Sequence, residues 1–163
     1  MKLREKAETM KKGGHTVMHT ICLKDNWTLT VLGKNVYDIP ETPIETKVPA
    51  TVYGTLWEKG LIPDPFYRDN ELDALKLMEN DFAYETTIVI SEEDRKADRL
   101  FLHFDGIDTI ADVYLNGEKI GSADNMNRVW EYDITDLVAG DAADTVYQVK
   151  VVLHSPTKFI AEE

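Results

Sequence analysis

The stretch of this sequence best supplied with chemistry is Gly60-Leu61-Ile62-Pro63-Asp64-Pro65-Phe66-Tyr67-Arg68-Asp69-Asn70-Glu71. Phe66 and Tyr67 offer ring faces, Asn70 an amide, Asp69 a carboxylate and Arg68 a guanidinium. Ring faces for stacking, set beside amide and carboxylate ends, suit a sugar. Two prolines bracketing an aspartate cannot continue a helix or sit in a central strand, because each fixes φ and removes a backbone donor. The segment must be a stiff loop, and stiff loops on a scaffold carry binding groups or pack against a neighbouring domain.

Other constellations are weaker. Acidic residues are so frequent that a carboxylate pair for glycoside hydrolysis can be nominated almost anywhere, yet that chemistry needs a separation of ~5 to 10 Å that sequence does not supply. His15, His19, His103 and His154 are scattered without metal-ligand spacing, and no metal site or cofactor is expected. Asp105-Gly106-Ile107-Asp108 lacks the alternating ligands of a calcium loop and reads as turn chemistry. Asn125-Met126-Asn127-Arg128 reads as a turn whose Asn side chains bond local backbone, although a polar cluster at a strand entrance can also face a ligand. No phosphate-cradling loop, nucleophile elbow or Cys-His pairing is present.

Composition narrows the partners. With 18 Lys and Arg against 30 Asp and Glu, the net charge of −12 disfavours nucleic acid and anionic membrane. A chain of 163 residues with 43% hydrophobic content has enough apolar surface for one domain. Cys22 is the only cysteine, so no internal disulfide forms, and inside Ile21-Cys22-Leu23 it reads as a small core residue. The charged N-terminus has no signal-peptide pattern and no run is long enough to span a bilayer, so a cytoplasmic protein is expected.

The elements that must position the loop are mostly strands. Trp27, Leu29 and Val31 alternate with threonines, and Phe82, Tyr84, Thr86, Ile88 and Ile90 line one side of a longer run. Leu100 to Phe104, Ala111 to Leu115, Trp130 to Ile134 and Tyr147 to Leu153 repeat the pattern. Asn116-Gly117 predicts a type I′ hairpin turn. Pro49 followed by Ala50 to Lys59 and Gly60 predicts a short helix that delivers the chain into the loop, with Trp57 as its core anchor. Asn70 to Met78 suggests a second, and Ser91-Glu92-Glu93-Asp94 resembles a capping box. The expected fold is all-β, an antiparallel β-sandwich or jelly roll with one or two short helices, and the resemblance described next narrows it to an antiparallel jelly-roll β-sandwich. Residues 1–17 have no buried period and are expected to form a flexible extension, with the domain over 18–163.

Several segments in order carry a resemblance. Val48-Pro49-Ala50-Thr51-Val52, Leu61 to Tyr67 with Asp69-Asn70-Glu71, Phe104 to Thr109, Ala111 to Gly117, Asn125 to Arg128 and Asp133-Ile134-Thr135 resemble the N-terminal domain of β-mannosidases in glycoside hydrolase family 2. The likeness covers nearly everything from about Cys22 onward. Two departures, Phe82 where the family commonly has tryptophan and the longer turn Asp141-Ala142-Ala143-Asp144, leave the fold intact, since a longer surface loop costs little.

The resemblance implies a galactose-binding-like jelly roll, followed in the family by an immunoglobulin-like domain and a (β/α)8 barrel. In such retaining enzymes two barrel glutamates cleave a terminal β-mannosidic bond. No catalytic residue is therefore expected here, and this chain alone is expected to be inactive. By analogy with related β-galactosidases, whose first domain sends an asparagine toward the substrate, Asn70 is the candidate sugar contact, supported by Asp69 and Tyr67. The expected partners are a terminal β-mannoside or other β-glycoside and the remaining domains of the enzyme. Surface left open by those domains is expected to promote self-association. Two alternatives stand beside this reading: a free-standing carbohydrate-binding module, and a docking domain whose loop meets only protein.

Overall fold

The alternating runs become strands in a computed structural model, which describes residues 2–7, 17–34, 37–142 and 145–157. The strands are β1 (Lys2–Ala7), β2 (Val17–Cys22), β3 (Trp27–Leu32), β4 (Ile44–Thr46), β5 (Asp81–Ile90), β6 (Arg99–Phe104), β7 (Ala111–Leu115), β8 (Glu118–Ala123), β9 (Trp130–Asp133) and β10 (Thr145–Leu153). They form a six-stranded sheet in the order β4-β3-β5-β10-β7-β8 and a four-stranded sheet in the order β2-β1-β6-β9. Every pairing is antiparallel. The result is an all-β jelly-roll sandwich.

Period-two sequence and burial agree strand by strand. In β3, Trp27, Leu29 and Val31 are buried while Thr28 and Thr30 are half-buried, and in β7 Ala111, Val113 and Leu115 face inward. Leu100 and Leu102 of β6 meet Leu29, Tyr147, Val149 and Val113 in one apolar cluster. Asn116 and Gly117 have φ of 47° and 83°, the doubly positive geometry of the expected hairpin turn. The sheets close along one side where β9 meets β8: Tyr132 lies so near Gly121 that a Cβ there would come 2.2 Å from its ring.

Helices are short: α1 (Val52–Glu58), α2 (Asn70–Leu77) and α3 (Thr135–Val138). The proline-first reading of α1 needs adjusting, because Thr51 is its N-cap, its hydroxyl accepting from Gly54 N at 3.0 Å. The Ser91 capping box forms as expected, with Ser91 N donating to Asp94 Oδ2 and Asp94 N to Ser91 Oγ. Among the described residues no helix is long and apolar enough to cross a membrane.

Three expectations are corrected. Cys22 is exposed rather than core, because it ends the edge strand β2. Trp57 is 54% exposed: α1 buries Val52, Thr55 and Leu56, and the next residue round the helix turns away from that face. Lys2–Ala7, expected to be loose, run as β1 between β2 and β6, since ladder hydrogen bonds need backbone and not an apolar period. Residues 8–16 of that expected extension lie outside the described residues.

Candidate functional site

The Pro-Asp-Pro loop leaves α1 through a Schellman ending. Gly60, at φ 69°, donates to Trp57 O at 2.8 Å and Leu61 N to Leu56 O at 2.9 Å, while Ile62 plugs into the core. Asp64 organises the turn into α2. Its carboxylate accepts from Phe66 N at 2.9 Å, and its carbonyl accepts from Tyr67 N at 3.2 Å and from the Asn70 side-chain amide at 2.8 Å. α2 is then pinned to α1 by the Tyr53 hydroxyl, which donates to Ala74 O at 2.6 Å.

All three sequence-predicted site residues sit on this loop at the start of α2. Asp69 occupies the N-cap position without a side-chain capping bond. Tyr67 is 57% exposed, with the Arg68 guanidinium 5.1 Å from its ring centroid, and Phe66 is 97% exposed. Asn70 is half-buried, and the bond to Asp64 uses one N–H of an amide that has two donors and a carbonyl acceptor. The loop thus displays ring faces outward and holds its amide by a local brace.

A second feature gathers motifs that the chain keeps far apart. A cavity of ≈ 400 Å³ opens at the mouth of the sandwich, walled by Trp27, Tyr84, Phe104, Ile107, Val151 and Leu153. Val48-Pro49-Ala50, Asp105 to Asp108 and Met126 form its rim, with Cys22 and Lys24. No residue of 60–71 lines it. Asn127 N donates to Asn125 Oδ1 at 2.8 Å, so the local-turn reading of that segment is correct, yet the same turn brings Met126 to the rim.

Two polar details accompany the cavity. Buried His103 has Nε2 3.0 Å from Asp105 Oδ1 and Nδ1 2.8 Å from Glu131 Oε1, tying the rim loop to β9. The Tyr84 hydroxyl is buried beside Thr55, too loosely placed for a hydrogen bond of normal geometry. Burial pushes its pKa up to about 12 against a smaller opposing pull from nearby Thr55. Among the described residues no cluster of His, Cys, Asp or Glu is placed to hold a metal ion.

Residues 27–163 match the family model of the glycosyl hydrolase 2 galactose-binding domain-like type. The chain belongs to that family. It is 34% identical over 126 residues to the beta-mannosidase of Bos taurus, covering 77% of this chain and 14% of the relative. Against the beta-mannosidase of Rattus norvegicus the identity is 32% over 116 residues, 71% of this chain and 12% of the relative. The crystal structure of a beta-D-mannosidase from Dictyoglomus thermophilum superimposes with a TM-score of 0.74 at 34% identity, over 86% of this chain and 16% of that one. A beta-glucuronidase from Ruminococcus gnavus, at 20% identity and a TM-score of 0.55, shares the fold. This is an N-terminal family 2 domain of the β-mannosidase kind, and it spans about one-seventh or less of the length of these curated relatives. The described residues contain no catalytic barrel.

Sequence reading found the loop and missed the cavity. The signal for it was the set of separate segments, Val48 to Ala50, Phe104 to Asp108 and Asn125 to Arg128. Each looks like ordinary turn chemistry alone, and only the sheet order makes them neighbours.

Proposed function

We propose that this domain forms a rim of the substrate site in a β-mannosidase-like retaining glycoside hydrolase that cleaves terminal β-mannosidic bonds. Two glutamates on a barrel supplied by the rest of that enzyme carry the chemistry. The reading is carried by the 34% identity to a beta-D-mannosidase over 86% of this chain. In it, Asn70 hydrogen-bonds a sugar hydroxyl while its amide is held by Asp64 O, and Tyr67 and Asp69 support the contact. A loop braced at Asp64 suits this role, because a contact held in place before the substrate arrives loses less entropy on binding.

The test is Asn70→Ala in the barrel-containing enzyme, which is expected to lower kcat/KM by about 1 to 3 kcal/mol, roughly 5- to 150-fold. Asp64→Ala is the control, since it removes the Phe66 brace while keeping the Asn70 amide. An unchanged kcat/KM in folded Asn70→Ala removes the contact.

A second reading is favoured by a specific observation: Phe66, Leu72 and Leu75 are 97%, 57% and 62% exposed. Such apolar exposure on one short segment suits docking against the remaining domains, or against a second copy when they are absent. A rise in stability on adding the partner domains, with none on adding sugar, supports docking alone.

A further inference from the structure

We propose that the cavity at the sandwich mouth receives the Phe66 ring of a second copy of this chain, with the Pro-Asp-Pro loop of one molecule as plug and the cavity of another as socket. This carries the docking reading of the loop further and is independent of a sugar contact at Asn70. Phe66 is 97% exposed on a turn already fixed by its own N–H, which donates to Asp64 Oδ1 at 2.9 Å. The ring stands clear of its own chain, and no residue of 60–71 lines the cavity, so the plug comes from another molecule.

Size and chemistry match. The walls present ring and aliphatic surface from Trp27, Phe104, Ile107, Val151 and Leu153 around a space of ≈ 400 Å³. An apolar cavity of about 150 Å³ is enough to hold benzene, so a phenyl ring enters with room to spare. Insertion removes from water both an exposed ring and the open apolar wall that faces it.

Charge favours this pairing of surfaces. Arg68 is the single cation of residues 60–71 and lies two positions beyond the plug, 5.1 Å from the Tyr67 ring centroid. The rim carries the carboxylates of Asp105 and Asp108 for that guanidinium, and the ammonium of Lys24 for Asp64 or Asp69 of the loop. Repulsion between two copies of net charge −12 opposes the contact at long range, but about 0.15 M salt screens it beyond about 8 Å. Both surfaces are also braced in advance: Val48 N donates to Lys24 O at 2.8 Å, Trp27 Nε1 to Leu23 O at 3.1 Å, and His103 fixes Asp105. Preformed surfaces lose less entropy on association.

The single cysteine, Cys22, is exposed at the mouth and reports occupancy. Its alkylation by iodoacetamide is followed in the 163-residue chain from about 10 μM to about 1 mM protein, a span that reaches millimolar contacts. Sedimentation velocity on the same samples reports association. Alkylation is expected to slow saturably as association sets in. Phe66→Ala removes the plug and is expected to weaken association tenfold or more, as loss of a buried phenyl ring requires. Lys24→Trp and Ala50→Trp, at exposed rim positions, close the socket and are expected to do the same. Arg68→Glu is expected to weaken it about tenfold, because like charges then meet at the rim.

Mixing decides the matter, since each variant keeps the half that the other lacks. Intact mass distinguishes the two chains, so the Cys22 of Phe66→Ala is read separately. Its alkylation is expected to be independent of its own concentration and to slow saturably when Lys24→Trp is added, but not when the Lys24→Trp, Phe66→Ala double variant is added. No association of the wild-type chain up to about 1 mM overturns the proposal, as does a mixture that gives no protection. Association lost in Phe66→Ala but kept in both folded tryptophan variants moves the ring to another face, which removes the socket and leaves the docking reading of the loop standing. Unchanged association in Arg68→Glu overturns the charge match.

Discussion

The Pro-Asp-Pro loop and the sandwich-mouth cavity hold their shapes by different means. The loop is built from neighbours in sequence: within 60–71 hydrogen bonds run from residues 66, 67 and 70 back to Asp64, and from Asn70 N to Tyr67 O. The cavity wall draws on residues from Cys22 to Leu153, brought together by the sheet order. A local device can vary without disturbing the fold, whereas a wall made of core residues cannot. This difference makes the loop a place where specificity is altered cheaply and the cavity a place where folding and any binding are tied together.

The contrast breaks or sharpens first at Phe104. This ring is 5% exposed and meets Tyr132 edge-to-face at 5.9 Å, so Phe104→Ala is expected to cost about 3 to 5 kcal/mol in urea unfolding. Its counterpart Phe66→Ala is expected to stay within about 0.5 kcal/mol, since the ring is 97% exposed. Comparable losses at both positions would mean that the loop is packed in solution and that the contrast fails.

Gly121→Ala comes next. The added methyl would lie 2.2 Å from the Tyr132 ring, which also donates its hydroxyl to Ser122 O and stacks near-parallel with Trp130 at 6.5 Å. Displacing that ring is expected to cost about 1 to 3 kcal/mol. Near-UV circular dichroism should report the disturbed aromatic environment, and an unshifted unfolding midpoint would show that β8 and β9 are not clamped there.

The smallest effect belongs to Asp64→Ala. One exposed side-chain hydrogen bond is lost, so global stability should fall by about 0.5 to 1 kcal/mol. Amide exchange should quicken over residues 64 to 70 and not at the cavity rim. Faster exchange at Phe104 to Asp108 as well would couple the two regions and erase the distinction between them.

Much of the loop and of the strand set was readable because both obey short-range rules. Alternation located β3, β5, β6, β7, β9 and β10, and Asn116-Gly117 marked the hairpin with φ values that non-glycine residues seldom adopt. Ser91 and Asp94 announced their reciprocal bonds at a spacing of three. Trp57 was misplaced although its helical phase was visible, because aromatic size suggested an anchor where the Val52, Thr55 and Leu56 face excluded it. Lys2–Ala7 carried no side-chain period to read, and their strand depends on the partner backbones of β2 and β6.

By itself, the sequence determined the sandwich class, the stiff exposed loop and the likeness to β-mannosidase N-terminal domains, since each follows from residue order and local backbone chemistry. Which strands are neighbours was decided by tertiary structure alone, and with it the meeting of Cys22, Ala50, Asp105 and Met126 around one cavity. The reason is physical: period two states which face of a strand is buried but not against what, and that choice is made by packing all the inward faces together at once.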